Sequence, residues 1–151
     1  MSDHINSEMA IARYVLGTAS GEETRFVTDT RSGCADDAQP FGELPSAEKA
    51  AWIVLEIHIG AIAHGSISPE DGLGRVINDV FRATGFPQSS RGRMGESHNA
   101  APLIAFQDEY DDMRRYERRT GTRDRRRAQV DGQVVAAAKL WMAGNASERV
   151  L

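Results

Sequence analysis

Residues 46–64 read Ser-Ala-Glu-Lys-Ala-Ala-Trp-Ile-Val-Leu-Glu-Ile-His-Ile-Gly-Ala-Ile-Ala-His, and the pattern of this stretch decides the fold. At 100° per residue, Glu48, Lys49 and Glu56 share one narrow polar stripe, and apart from His58 the remaining circumference is apolar. Ser46, following Pro45, is the N-cap candidate. A helix apolar over most of its surface lies at a centre, surrounded by other helices or sealed by a second subunit. The stretch therefore predicts an all-α domain, a bundle of four or five helices around this one, with a homodimer as companion expectation.

The flanks supply the surrounding helices. Upstream, Ile5, Met9, Ala12 and Leu16 repeat at helical spacing over about residues 3–16, with Gly17 as the stop. Downstream, Ser68-Pro69-Glu70-Asp71 is a strong helix start: a capping hydroxyl, proline at the first helical position and acids in the positive first turn. Leu73, Val76, Ile77, Val80, Phe81 and Thr84 form its inner face, and Gly85-Phe86-Pro87 ends it. A fourth helix follows Asn99, with Leu103, Phe106, Tyr110 and Met113 in register to about Arg119. A fifth starts near Thr122 and carries Val130, Val134, Ala137, Trp141 and Met142. The short Thr120-Gly121-Thr122 turn forces these two into an antiparallel hairpin. Residues 17–45 and 85–99 lack apolar period and read as long loops. Within the first, Thr24-Arg-Phe-Val-Thr-Asp-Thr30 has strand-like composition, so one short β-hairpin is expected within residues 22–45.

The 151 residues amount to a single domain, since a chain of this size buries roughly 70% of its unfolded surface without help from disulfides or metals. One cysteine, Cys34, excludes an intramolecular disulfide and fits a reducing compartment. The N-terminal residues show no secretory pattern, and the longest apolar run, Ala50–Ala63, is too short to span a bilayer and is broken by Glu56 and His58. A cytoplasmic protein without membrane association is expected.

The net charge of −4 conceals a division. Residues 1–71 carry 12 acids and 4 bases, residues 72–151 carry 10 acids and 14 bases. Six of the acids, Glu22, Glu23, Asp29, Asp36, Asp37 and Glu43, fall in the first predicted loop and form a candidate acidic interaction surface. Eight arginines, Arg114, Arg115, Arg118, Arg119, Arg123, Arg125, Arg126 and Arg127, fall at the hairpin tip with only Glu117 and Asp124 among them. Such a tip can hold an anion or an acidic partner. The competing reading is internal pairing, with Asp111 facing Arg114 and Arg115 at i+3 and i+4. Arginine at the start of the fifth helix opposes the helix dipole, so part of the cluster calls for an anion from elsewhere. Tyr116 is the one aromatic residue there, which weighs against single-strand nucleic-acid binding.

Residues 61–78 are similar in rhythm to helix-turn-helix proteins, with three residues between Pro69 and Leu73 where two are usual. That geometry would present Glu70 and Asp71 to phosphates, which argues against DNA reading. His58 and His64 lie six residues apart and point about 240° from one another, so they cannot chelate one ion. His58, on the apolar side, reads as a satisfied core histidine; a general-base role would need a carboxylate from another helix. Asp36 and Asp37 would raise the pKa of Cys34, a poor setting for a nucleophile. Nucleophile-elbow and phosphate-loop motifs are missing. No catalytic residue, metal or cofactor is therefore expected. The function predicted is a non-enzymatic interaction module that binds a protein partner through charged surfaces, as an inhibitor or nucleic-acid mimic would. The alternatives are nucleic-acid binding through the arginine tip and a small enzyme using His58 or His98.

Overall fold

The computed structural model describes residues 6–33, 44–83, 94 and 98–144. Among these the chain is all helical, and no strand occurs. Helix α1 (Ser7–Leu16) starts at Asn6, whose side chain accepts from Met9 N at 3.0 Å, and stops at Gly17 in the left-handed region, φ 84°.

Helix α2 (Gly21–Gly33) occupies the stretch where the composition predicts a loop with a β-hairpin. The expectation fails because of a capping box. Ser20 Oγ accepts from Glu23 N at 3.0 Å, and Glu23 Oε1 accepts from Ser20 N at 2.9 Å. With the first turn nucleated, Val27 and Phe26 pack with Ala10, Ile11, Tyr14 and Leu44 in a small second cluster. Tertiary burial then overrides the strand-like composition of residues 24–30.

Helix α3 (Ala47–Ala63) is the centre of the bundle and packs on α1, on α4 (Pro69–Val76) and on α7 (Arg127–Gly144). Val54, Leu55, Ile59 and Ile62 are fully buried, while Trp52, Ile53 and Ile57 pack against the core from its edge. These neighbours supply much of the cover that an apolar helix needs. Ser46 and Ser68 cap α3 and α4, accepting from Lys49 N and Asp71 N.

At Gly72 the α4 backbone lies directly against the Ile62 side chain of α3. A Cβ there would stand 2.3 Å from Ile62 Cγ1. Helix α4 continues into a π-helical turn, Ile77–Phe81, in which Arg82 N donates to Ile77 O at 2.8 Å. The extra residue per turn alters the phase of a helix that the sequence predicts as regular.

The predicted fourth helix is broken at Ala105 into a short α5 (Ala101–Ile104) and α6 (Phe106–Thr120). Helix α6 ends at Gly121, φ 69°, and α7 begins at Arg127, five residues later than the apolar pattern suggests. The hairpin forms as expected. His98, placed by the sequence in a connector, is 1% exposed. Its ring lies 4.6 Å from that of Trp52, its Nε2 is 3.3 Å from Glu48 O, and its carbonyl accepts from Trp141 Nε1 at 2.9 Å. Burial lowers the pKa of this imidazole, against a smaller opposing effect of the Glu48 carbonyl.

Candidate functional site

The hairpin tip divides its arginines into two groups. The inner group is anchored by Arg127, 15% exposed in its side chain. Its Nε and Nη2 each donate to Glu117 at 2.8 Å, and its Nη1 donates to Glu70 Oε1 at 2.6 Å. The guanidinium also lies over the Tyr110 ring, 5.8 Å from its centroid. Arg114 pairs with the other oxygen of Glu70, and Arg115 with Asp112. Arg126 holds Asp124 through Nε and Nη2 at 3.2 and 3.1 Å. Asp124, 7% exposed, also accepts from the backbone N–H of Arg126 at 2.9 Å, an Asx turn that leads into α7. The expected pairing of Asp111 with Arg114 and Arg115 is not what forms: Asp111 accepts from Gln107 Nε2 at 3.1 Å.

Electrostatics follow this geometry. The hydrogen bond from Arg127, reinforced by the Asp124 N–H, holds the Glu117 carboxyl at about 2. The Arg126 side chain and N–H likewise depress Asp124. Both acids within the cluster are thus ionised and turned toward Arg126 and Arg127. Glu70, which a helix-turn-helix reading would aim at phosphate, faces inward to Arg114 and Arg127.

The outer group is Arg118, Arg119, Arg123 and Arg125, all exposed around the Gly121 turn. Among the described residues none of the four has an acidic partner; Arg119 lies over the Tyr116 ring at 5.8 Å. Beside them an open groove of about 430 Å³ runs along α6, lined by Asp111, Arg114, Arg115, Glu117 and Arg118. Arg127 is the first residue of α7 and Arg126 directly precedes it, so both sit at the positive end of its dipole, where Glu117 and Asp124 supply the opposing charge, while Arg123 and Arg125 lie before the helix.

Protein-family models, curated proteins and solved structures have each been compared with this chain, and none matches. The site therefore stands on its geometry.

The acidic surface takes a different form from the expected loop. Glu22, Glu23 and Asp29 lie on α2, whereas Asp36, Asp37, Glu43 and Cys34 lie outside the described residues. Glu23 belongs to the capping box and reaches Arg13 Nε at 3.3 Å, which leaves Glu22 and Asp29 as the exposed acids of this helix.

A cluster not predicted from sequence lies deeper. His58 Nε2, on α3, is 2.8 Å from Asp79 Oδ2 in the π-turn, and Arg13 Nη1 is 3.5 Å from the same oxygen. Burial alone would raise the Asp79 carboxyl, but the His58 hydrogen bond and the Arg13 charge outweigh it and hold the group below its usual value. This supplies the carboxylate from another helix that a basic role for His58 would require. With the imidazole 5% exposed, the pair acts as a polar tie between α1, α3 and the π-turn. The signal for it in the sequence is weak, because a regular helix through residue 79 does not predict this contact. Among the described residues no group of His, Cys, Asp or Glu could hold a metal ion, and no helix is long and apolar enough to cross a membrane.

Proposed function

We propose that this chain is a non-catalytic interaction module that engages an acidic surface of a protein partner through the outer arginines of the hairpin tip. The observation that carries the reading is the division of the cluster. Glu117, Asp124 and Glu70 are held by inner arginines, while Arg118, Arg119, Arg123 and Arg125 remain exposed without an acidic partner among the described residues. Arginine forks match carboxylates bidentately, and four of them around one turn form a compact contact. A protein partner is favoured over nucleic acid because the positive area is short. Asp108, Glu109, Asp111 and Asp112 follow within two to three turns along α6 and would meet a continuous phosphate lattice with like charge.

Binding of a poly-glutamate peptide and of a short DNA duplex to the immobilised full chain, between about 50 and 200 mM salt, tests this. The expected result is salt-sensitive capture of the peptide that disappears when Arg118, Arg119, Arg123 and Arg125 are replaced by Ala, with the circular dichroism unchanged. Tighter capture of the duplex would favour the nucleic-acid reading. Peptide capture undiminished in the variant, or no capture by the parent chain, would remove the tip as a site.

A further inference from the structure

His98 sits in a buried aromatic chamber built from distant parts of the chain. Its ring lies 4.6 Å from that of Trp52 on α3 and 6.2 Å from that of Phe81 in the π-turn, and its carbonyl is held by Trp141 Nε1 of α7. Trp52 and Trp141 stack on one another at 5.8 Å. The segment that follows is lightly tied. Asn99 takes a left-handed backbone, φ 60°, Ala100 gives α5 no side-chain cap, and the break at Ala105 separates these four helical residues from α6. Helices α1, α4 and α7, by contrast, pack directly on α3.

We infer that His98 is an acid-operated latch: the neutral ring pins residues 98–104 to α3 and α7, and its protonation releases them while the rest of the bundle stays folded. Among the described residues Glu48 of α3 is the one charged group that acts on the imidazole, and both its carbonyl and its carboxylate favour the protonated form. From the π-turn and α7 the neighbours are Phe81 and Trp141, and α5 itself, Ala-Pro-Leu-Ile, carries no charge. Burial outweighs Glu48 and disfavours the cation.

An imidazolium in this chamber regains water by leaving it. Leaving breaks the Trp141 hydrogen bond and the apolar contacts of Ala100, Ala101, Leu103 and Ile104, all within the one segment. Helix α6 keeps its own hold on α4 and α7 and does not have to follow. Release bares Trp52 and Trp141 beside Ala137 and Leu140 of α7, so the acid form displays an aromatic surface that the neutral form covers. The sign follows from the folded ring being the harder to protonate: opening grows by up to about tenfold for each pH unit below 6.5, until the folded ring also takes up its proton.

Nuclear magnetic resonance of the full chain between about pH 8 and pH 5, read with near- and far-ultraviolet circular dichroism, tests the latch. The His98 ring should titrate below 6.5, and the tryptophan signal in the near ultraviolet should weaken at the same midpoint. Amide exchange within 98–104, corrected for its intrinsic pH dependence, should quicken by up to about tenfold per unit while that of α3 and α7 holds. His98→Phe keeps an aromatic ring in the chamber and should lose both responses. A ring that titrates at or above 6.5, protonation without faster exchange at 98–104, helicity lost together with the tryptophan signal, or the same transition in His98→Phe would each overturn the inference. The ring titration and the exchange are read on the parent chain, so they decide even where His98→Phe fails to fold.

Discussion

Replacing Gly72 and Gly74 by alanine, one at a time, separates close packing from helix propensity within a single turn of α4. A Cβ at Gly72 would meet Ile62 Cγ1 at 2.3 Å, Ile62 Cδ1 at 2.7 Å and Ile67 Cγ2 at 3.3 Å. The nearest atom belongs to the root of a fully buried isoleucine, so α4 must move away from α3 or Ile62 must leave its rotamer. Overpacking of this kind costs about 1–3 kcal/mol, against which alanine returns about 1 kcal/mol of helix propensity. At Gly74 a Cβ has nothing within 4 Å, and only the propensity gain of about 1 kcal/mol remains. The variants should therefore differ by about 1–3 kcal/mol, with Gly72→Ala the less stable. For a protein of this size that separates urea midpoints by roughly 1 M. Far-ultraviolet circular dichroism through a urea titration measures it. A Gly72→Ala midpoint at or above that of Gly74→Ala would refute the close approach of α3 and α4.

The division of the arginine cluster has a stability counterpart. Arg127→Met should lower the melting temperature clearly, because Glu117 and Glu70 lose their shared cation, whereas Arg123→Ala and Arg125→Ala should leave it unchanged. Equal melting temperatures for the three variants by scanning calorimetry would erase the distinction between inner and outer groups. Stability should also depend on acidity in one direction. Glu117 is depressed to about 2, and Asp79 and Asp124 also lie below their usual values. Their contributions are complete above the unfolded carboxylate range near pH 4 and vanish as pH falls through the folded values, toward pH 2 for Glu117. His98, lowered by burial, acts with the same sign at higher pH: the unfolded chain takes up its proton near 6.5 before the folded one does, so stability declines below that point. Urea midpoints between pH 8 and pH 2 should fall in these two stages, with the first stage shallower in His98→Gln. A midpoint independent of pH over this range would contradict the burial of His98 and the pairing of the acids.

The parts of this molecule that local rules govern are legible from residue order. The unbroken apolar surface of 46–64, the Ser68-Pro69 start and the Gly121 stop each act within a few residues, and α3, α4 and α6 are found there. Helix α2 had a local signal too, the Ser20 and Glu23 capping box, but the β-branched and aromatic residues after it point toward a strand. The site is less legible because its pairings are long-range. Arg127 meets Glu70 across 57 residues, and no spacing rule ties those positions. Eight arginines could be counted from sequence, but which of them find an acidic partner is decided by where Glu70, Glu117 and Asp124 are carried by the packing of α4 against α6 and α7.

The π-turn at Ile77–Phe81 makes the chain sensitive to length at the end of the helix that begins as α4. Loops absorb an inserted or deleted residue at their surface. Here, removal of one residue would turn the positions after it by about 100° relative to α4. Asp79 would swing away from His58 and Arg13, and the buried set Ile77, Val80 and Phe81 would lose its common face. In this segment, identity can drift at the exposed Asn78 and Arg82, but the number of residues is fixed by the side chains that must share its buried face.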